Sequence, residues 1–242
     1  MKRAIVFGAT GGIGQSICGE LAANGWSLYI HYSHNQEKAD LLAEKLTKQY
    51  PMQDFLTIKL DFLVSNQDLE SFCFSLLPIN AAIFAQGITH FGFFGEQELD
   101  NFDQEMKVNL LTPLKLTKLL EPILLRYDHS RLIYLGSVYG GQGSPLESAY
   151  SASKAALSRF CQSYAREVAS SHLTVNCLAP GAVDTAMNSI FSEETLNEVK
   201  EEIPAGRLAK GDDISYWVAN LLRPESDYLT GQTIYISGGW LV

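Results

Sequence analysis

Residues 3–14 read Arg-Ala-Ile-Val-Phe-Gly-Ala-Thr-Gly-Gly-Ile-Gly, a short apolar run that ends in a glycine-rich turn. The apolar run predicts a buried first strand, and the pattern that continues through Ile17 and Leu21 to Gly25 predicts a helix. Glycine permits a tight turn and lets backbone N–H groups approach a pyrophosphate, which the positive end of a helix stabilises. In this strand–turn–helix context the glycines predict a dinucleotide site.

Apolar runs alternate with helix-length segments through the rest of the chain. Such runs, apolar on both faces as in residues 131–135, predict strands of a parallel sheet that helices cover on both sides. The predicted fold is a single doubly wound Rossmann-type α/β domain over residues 1–242, with a seven-stranded parallel sheet. The predicted strands are residues 3–7, 27–32, 55–60, 81–85, 131–136, 173–179 and 233–237. An insertion after the sixth strand predicts a substrate lid within about residues 182–210.

Composition limits the classes of function. The chain has 242 residues, 46% of them hydrophobic and 19% charged, which fits a folded domain. Its net charge of −9 argues against binding to nucleic acid, and no stretch approaches the roughly 18 uninterrupted apolar residues of a membrane span. Four scattered cysteines without clustered histidines predict reduced core thiols, no metal site and a cytoplasmic location. They are Cys18, Cys73, Cys161 and Cys177.

Tyr150 and Lys154 are one helical turn apart and follow Ser137. This spacing places the phenol and the ammonium on one face of a helix. A unit charge at about 4 Å favours phenolate by up to about 4 kcal/mol, so we expect Lys154 to lower the tyrosine pKa from about 10. Ser137 would then hold a substrate oxygen while Tyr150 moves a proton. The alternative interpretation is a solvated lysine beside a half-buried tyrosine on an amphipathic helix.

Taken together, these motifs resemble the short-chain dehydrogenase/reductase family over essentially the whole chain. The Gly-x-x-x-Gly-x-Gly spacing of the first turn differs from that of other dinucleotide folds. The resemblance implies hydride transfer between a nicotinamide cofactor and a carbonyl or alcohol. Its motifs are Gly8, Gly12, Gly14, Asp61, residues 85–87 (Ala-Gln-Gly), residues 108–110 (Val-Asn-Leu), Ser137, Tyr150, Lys154, Pro180, Gly181 and Thr185.

The resemblance also implies residue roles. The catalytic set would be Asn109, Ser137, Tyr150 and Lys154. Asn109 would hold a water that links Lys154 to solvent, while Lys154 would also grip the nicotinamide ribose. Asp61 would meet the adenine, and Thr185 would contact the nicotinamide carboxamide or the pyrophosphate. Taken singly, Asp61 could instead cap a strand end and Asn109 could be a buried helix asparagine. The implied cofactor contacts are Gly8, Thr10, Gly11, Gly12, Ile13, Gly14, Ser33, His34, Asn35, Asp61, Ala85, Gly87, Tyr150, Lys154, Pro180, Gly181, Val183 and Thr185.

Cofactor choice depends on the end of the second strand. An acid there would accept the ribose hydroxyls of NAD and repel a 2′-phosphate. Residues 31–35 read His-Tyr-Ser-His-Asn, and the first acid is Glu37. We therefore expect NADP, with Ser33, His34 and Asn35 available to the phosphate. NAD stays possible, because the basic residue that many NADP-using relatives carry in the glycine turn is Gly11 here.

Two positions depart from the family pattern. The family usually has threonine before the first glycine and asparagine after the fourth strand, where this chain has Phe7 and Ala85. We expect their side chains to lie near each other at neighbouring strand ends, as an apolar contact in place of a polar one.

The carboxyl-terminal third, residues 203–208 and 228–239, is similar to bacterial 3-oxoacyl-(acyl-carrier-protein) reductases. That similarity implies a 3-oxoacyl thioester-like ketone, small or carrier-bound, and a homotetramer packed through helices near residues 102–125 and 149–169. An acidic carrier needs a basic patch, and the basic residues expected near the site are chiefly Arg126, Arg131, Arg159 and Arg166.

Two alternatives stay open. One is reduction of a ketone on a modified protein side chain, of the elongation factor P 5-aminopentanone type. The other is a non-catalytic dinucleotide sensor, against which the intact catalytic set argues. The expected pocket residues do not separate the substrates; they are Val138, Tyr139, Gly140, Gly141 and Gln142.

Overall fold

Every strand of the sheet runs parallel to its neighbours. The computed structural model describes residues 2–186 and 191–240, and the strands lie in the order β3-β2-β1-β4-β5-β6-β7. The strands are β1 Arg3–Phe7, β2 Ser27–Tyr32, β3 Phe55–Lys59, β4 Ala81–Phe84, β5 Ser130–Leu135, β6 Leu173–Pro180 and β7 Thr233–Ile236. The first two match the predicted bounds, and the other five differ by one residue at one or both ends.

Helices cover both faces of this sheet. One face packs against α1, α2 and α8, and the other packs against α3, α5 and α6. The described α-helices are α1 Gly12–Ala23, α2 Gln36–Gln49, α3 Asn66–Phe74, α4 Leu99–Met106, α5 Thr112–Leu124, α6 Ser148–Val168, α7 Glu193–Glu202 and α8 Gly211–Leu221. The predicted doubly wound α/β fold is confirmed. The five inner strands are buried on both sides, which explains why their residues are apolar without alternation, whereas the edge strands β3 and β7 are partly exposed.

The strand order reverses between β1 and β4, which are neighbours in the sheet. Chain connections leave these two strands in opposite directions, so a crevice opens at their carboxyl ends. The glycine turn follows β1, and the turn at Ala85 follows β4. The topology therefore places both turns beside the crevice.

The predicted contact between the Phe7 and Ala85 side chains is wrong. The two backbones are neighbours, since Ala85 donates its N–H to the Phe7 carbonyl over 3.0 Å. Side chains alternate along a strand, however, so Phe7 shares a face with Phe84, and Ala85 packs on the opposite face. Phe7 stacks on Phe84 with ring centroids 4.8 Å apart.

The four cysteines are buried and none is in a disulfide. Across residues 2–186 and 191–240, no group of three or more His, Cys, Asp or Glu side chains is arranged to hold a metal ion. Nor is any helix in those ranges long and apolar enough to cross a membrane.

Candidate active site

A cavity of about 370 Å³ opens at the carboxyl edge of the sheet. It brings together residues that follow β4, β5 and β6, and the amino end of α6. Of the predicted site residues it is lined by Ile13, Ala85, Gly87, Ser137, Tyr150, Lys154, Pro180, Gly181, Val183 and Thr185. Predicted catalytic and cofactor residues thus share one cavity.

Ser137 lies where β5 ends. Its hydroxyl oxygen accepts a hydrogen bond of 3.1 Å from the backbone N–H of Tyr139, at the start of a 3₁₀ turn. This bond fixes the side chain and leaves the hydroxyl proton for another acceptor. The Ser137 hydroxyl also acts to lower the pKa of the Tyr150 phenol, and both residues line the cavity. The two hydroxyls therefore converge in the cavity.

The pKa of Tyr150 is raised, not lowered as predicted from Lys154. Burial is the largest cause, the Ser137 hydroxyl opposes it, and the charges of Glu147 and Glu105 add to it. The Lys154 ammonium lies 5.6 Å from the centroid of the tyrosine ring, and it is not among the causes of the shift. Tyr150 is consequently a neutral phenol at neutral pH, the form that can donate a proton.

Lys154 is 3% exposed, and burial lowers its pKa to about 8. Its ammonium donates a 2.7 Å hydrogen bond to the Leu135 carbonyl at the end of β5. A Cβ on Gly87 would lie 3.4 Å from the same nitrogen. The lysine therefore spans the sheet edge between β5 and the turn after β4, so the interpretation of a solvated lysine is wrong.

Asn109 lies fully buried in a π-helical segment, Lys107–Leu111, between α4 and α5. Its side-chain oxygen accepts a hydrogen bond of 2.9 Å from the Ile88 N–H. Its side-chain nitrogen donates hydrogen bonds of 2.9 Å to the Ile88 carbonyl and 3.2 Å to the Ser153 hydroxyl. The amide thus fastens the turn after β4 to α6. Its predicted role in holding a water stays a prediction.

The glycine turn is closed by contacts that exclude side chains. A Cβ on Gly14 would overlap the carbonyl oxygen of Gly8 and lie 2.8 Å from Cα of Ala9. A Cβ on Gly12 would lie 2.7 Å from Cγ2 of Thr185. The backbone N–H groups that open α1 are therefore uncovered, as an approaching pyrophosphate requires.

Sequence reasoning missed His31, at the end of β2. Its Nδ1 accepts a hydrogen bond of 3.0 Å from the backbone N–H of Gly8, and its Nε2 pairs with the Leu60 carbonyl at 2.9 Å. Because Nδ1 is the acceptor, the proton lies on Nε2. Burial lowers the pKa of His31 to about 4. A polar residue within a buried strand was the available signal.

The predicted adenine-side residues lie at the same sheet edge but outside the cavity lining. Gly8, Thr10, Gly11, Gly12 and Gly14 follow β1, Ser33, His34 and Asn35 follow β2, and Asp61 follows β3. The Asn35 side chain accepts a hydrogen bond of 2.9 Å from the Lys38 N–H and so caps α2. The Asp61 carboxylate accepts a hydrogen bond of 2.9 Å from the Leu63 N–H. For these two, a local structural role is observed, and cofactor contact stays a prediction.

Aromatic residues also line the cavity. Phe91 meets Phe191 edge to face at 5.2 Å, and Tyr139 meets Trp240 at 5.8 Å. The Trp240 indole donates 3.2 Å to Glu202 in α7. Of the predicted pocket residues, Val138 and Tyr139 line the cavity, whereas Gly140, Gly141 and Gln142 do not.

Helix α7 contributes Thr195, Leu196 and Val199 to the cavity, within the range predicted as a lid. The two ends of this range are joined by backbone hydrogen bonds. The Ala209 carbonyl accepts a bond of 2.8 Å from the Asp184 N–H, and the Ala209 N–H donates one of 2.9 Å to the Ala182 carbonyl. Residues 187–190 of the predicted lid lie outside the described residues. Lid movement stays a prediction.

Sequence reasoning also missed Glu147, which lines the cavity three residues before Tyr150. Its carboxylate accepts hydrogen bonds from the hydroxyls of Thr89 at 3.0 Å and Ser144 at 3.3 Å. Burial is the main reason that its pKa is raised. Its place beside Tyr150 in the sequence was the available signal.

The predicted position of the arginines near the site is wrong for three of the four. Arg126 follows the end of α5, Arg131 begins β5 and Arg166 lies in the last turn of α6, all at the opposite edge of the sheet. Arg131 is buried there and pairs with Asp227. Arg159 lies midway along α6 and donates 2.7 Å to Gln162. In a parallel sheet every strand begins far from the carboxyl edge, so closeness to Ser137 in sequence misleads.

Comparison with known proteins agrees with this architecture. The family model described as short chain dehydrogenase matches residues 2–196. An uncharacterised oxidoreductase of Bacillus subtilis, YmfI, is 36% identical over 241 residues, with 99% of this chain and 98% of that protein covered. The 3-oxoacyl-[acyl-carrier-protein] reductase FabG of Staphylococcus aureus is 30% identical, with 98% and 97% covered.

Among solved structures, a putative NAD(P)-dependent gluconate 5-dehydrogenase from Beutenbergia cavernae with bound NADP superposes with a TM-score of 0.92. It is 25% identical, and the match covers 99% of this chain and 96% of that one.

Proposed function

The chain belongs to the short-chain dehydrogenase family of oxidoreductases, and on that premise we propose that it reduces a ketone to an alcohol with NADPH. The observation that carries the proposal is the convergence of Ser137, Tyr150 and Lys154 in one cavity at the crevice between β1 and β4. A non-catalytic dinucleotide sensor would need the crevice but not these three side chains together in it, so we prefer the enzyme to the sensor.

Each side chain has a distinct part in the proposed mechanism. Ser137 donates its hydroxyl proton in a hydrogen bond to the substrate carbonyl oxygen, which orients and polarises it. Tyr150 gives its proton to that oxygen while the carbon accepts a hydride, so C=O becomes CH–OH. The Lys154 charge stabilises the phenolate that remains, which then takes a proton from solvent. The raised pKa of Tyr150 suits this direction, because an acid must hold its proton until the substrate accepts it.

The residues of the crevice fit a dinucleotide. The bare backbone at Gly12 and Gly14 opens α1 toward a pyrophosphate, and Lys154 is within reach of a ribose beside Gly87. A nicotinamide cofactor, when bound, supplies the hydride. NADP is supported by the absence of an acid before Glu37 after β2 and by the NADP in the solved relative. NAD is the less favoured alternative.

The loss of NADPH absorbance in the presence of ketone substrates tests the proposal. The substrates are acetoacetyl thioesters of acyl carrier protein and of coenzyme A, and a protein that carries a side-chain ketone. Tyr150→Phe should lower kcat by about 100- to 10,000-fold while NADPH affinity stays nearly the same. The exposed Tyr228→Phe is the matched control. Unchanged turnover in Tyr150→Phe would remove the general acid from the mechanism.

A 3-oxoacyl thioester is the first substrate candidate. Its support is the identity of 30% with FabG across nearly the whole chain. At this identity, however, related enzymes of one family act on different carbonyl compounds, so the thioester is one candidate among ketones.

A ketone on a modified protein side chain is the second candidate, and the charge of α7 favours it. This helix borders the cavity and contains five glutamates and one lysine, Lys200. An acidic carrier protein would be repelled by such a surface. A neutral or cationic substrate group would not.

Assembly and location are further parts of the proposal. The homotetramer that the family resemblance implies would pack through α5 and α6. The buried, unpaired thiols fit the reducing cytoplasm in which NADPH-dependent reductases work. Sedimentation of the purified protein would test the tetramer.

A further inference from the structure

Glu147 is the one carboxylate among the described residues that line the cavity. Lys154, the one other charged residue in that lining, is occupied with the carbonyl of Leu135. Among the described residues no Lys, Arg or His side chain pairs with Glu147; the partners of its carboxylate are the neutral hydroxyls of Thr89 and Ser144. A half-buried anion without a cation loses hydration that two neutral hydroxyls replace only in part. Within the described lining the Glu147 carboxylate is therefore an anion with no cation paired to it.

Helix capping does not explain this carboxylate. Glu147 occupies the N-cap position of α6, but its side chain makes no capping hydrogen bond. The preceding residue, Leu146, has a left-handed φ of +66°, which is unfavourable for a residue with a bulky side chain. Its carbonyl accepts 2.9 Å from the Gly92 N–H. The loop is therefore held in a strained conformation that points the carboxylate toward Thr89 and the cavity.

A second carboxylate reinforces the negative potential. Glu105 is 2% exposed. Its Oε1 accepts from the backbone N–H of His90 and pairs with Nδ1 of the same residue at 3.1 Å, while Oε2 has no hydrogen-bond partner among the described residues. The Glu105 charge acts on both Glu147 and Tyr150. A cation in this part of the cavity would be favoured by both acids.

Aromatic rings surround the same region. The Tyr139 hydroxyl lies close enough to Glu147 to feel its charge, and Trp240 packs edge to face on Tyr139. The faces of such rings attract ammonium groups through the ring quadrupole. A carboxylate with aromatic neighbours is an arrangement suited to an alkylammonium group.

We infer that Glu147 recognises a positively charged amine on the substrate, so that the preferred substrate is a ketone bearing an ammonium group. This inference rests on the proposed function. Tyr150 and Ser137 then act on the carbonyl, while Glu147 pairs with the amine. The residue determines specificity and takes no part in proton or hydride transfer.

Two matched ketones test the inference: a linear methyl ketone that ends in trimethylammonium, and the same chain that ends in tert-butyl. The pair has nearly equal shape, and neither can condense with its own carbonyl. We expect the wild type to prefer the charged ketone in kcat/KM and Kd. Glu147→Gln should lower the charged-to-neutral ratio by about 30-fold, the factor to which an interaction of about 2 kcal/mol corresponds. Glu70→Gln, an exposed glutamate on α3, is the control and should leave the ratio unchanged.

Binding and turnover separate the two claims. If the wild type binds the two ketones equally, or if Glu147→Gln keeps the preference, the inference is overturned. If Glu147→Gln weakens the kcat/KM and the binding of both ketones by the same factor, the residue has a structural role in the loop and the inference is also overturned. Preferential binding of the charged ketone without any oxidation of NADPH would support the amine site and sink the proposed reduction.

Discussion

Gly8 donates its backbone N–H to Nδ1 of His31 over 3.0 Å, so the first residue of the glycine turn is anchored on the neighbouring strand. The other ring nitrogen pairs with Leu60 after β3. One imidazole therefore joins the ends of three strands. A protonated ring would have no lone pair for Gly8, and the turn would lose its anchor.

Stability should fall in mild acid because of His31. Its pKa is about 4 in the folded protein and about 6.5 when exposed. Between these values the unfolded chain binds a proton that the folded chain does not, so the folded state loses up to about 3 kcal/mol as pH falls from about 6.5 to 4. Urea denaturation at several pH values measures this. His31→Leu should be less stable at neutral pH by about 2 kcal/mol, because Gly8 and Leu60 lose a partner, and should lack this component of the acid dependence.

In the same experiment the exposed His34 provides the control. His34→Leu should retain the wild-type acid dependence. An equal acid dependence in His31→Leu and the wild type would show that another group is responsible.

Reductase activity should fall as pH rises through about 8. Burial lowers the pKa of Lys154 to that value, while that of Tyr150 is raised beyond the range of the assay. Loss of the lysine charge removes the stabilisation of the phenolate, so kcat should decline above pH 8. A pH profile of kcat for the wild type tests this. A profile that stays flat to pH 10 would contradict the assignment.

Replacement of Lys154 by methionine should separate activity from stability. The buried Lys154 ammonium destabilises the folded state at neutral pH. This destabilisation is relieved only as pH rises from about 8, the pKa in the folded protein, toward 10.5, the pKa of an exposed lysine. Lys154→Met should therefore raise the free energy of unfolding at pH 7 by about 2 kcal/mol and lower kcat by about 100-fold or more. Denaturation and turnover of the same preparation measure both. A variant that is less stable and equally active would contradict this view of the site.

Two glycines of α1 should respond oppositely to alanine. In Gly14→Ala the new Cβ meets backbone atoms of Gly8 and Ala9, which cannot move without opening the turn. NADPH affinity should fall by about 100-fold or more, and the protein should be destabilised by about 2 kcal/mol or more. In Gly19→Ala no atom lies within 4 Å of the new Cβ, so stability should rise by about 0.5–1 kcal/mol. Thermal denaturation and NADPH titration distinguish them; equal effects would refute the role of the turn.

An acid at the end of β2 should shift cofactor preference. Ser33→Asp would place a carboxylate where the 2′-phosphate of NADP is expected, which adds repulsion and gives ribose hydroxyls an acceptor. The ratio of kcat/KM for NADPH to that for NADH should fall by about tenfold or more. Ser71→Asp, on the exposed side of α3, controls for net charge. A ratio that does not change would place the phosphate elsewhere.

The fold was predictable because a parallel sheet is apolar on both faces. Residues such as Ala81 and Ile83 have no solvated side to obscure the strand, and the glycine turn marks the first carboxyl end. Since parallel strands share one carboxyl edge, the order of motifs along the chain also indicated which residues meet. Ser137, Tyr150 and Lys154 lie together for that reason.

Burial and side-chain direction were harder to predict. Helical spacing placed Lys154 beside Tyr150, but the sign of the tyrosine pKa shift depends on the protein atoms around the phenol, which spacing does not give. Likewise, the backbones of Phe7 and Ala85 are neighbours, but their side chains lie on opposite faces of the sheet. The reason is that Phe7 pairs with Phe84, one residue before Ala85. Glu147 lacked a motif altogether.

The ring of Phe7 is enclosed by four other rings: it stacks on Phe84 at 4.8 Å and lies 5.2 Å from His31, 5.6 Å from Phe62 and 6.1 Å from Phe72. A return to threonine at this position alone would leave a void among those rings and a hydroxyl with aromatic neighbours. The packing of Phe7 therefore depends on the aromatic residues around it, and a chimera that takes β1 alone from a threonine-bearing relative should fold poorly. Such an exchange would succeed only when the segments that carry His31, Phe62, Phe72 and Phe84 are exchanged together with β1.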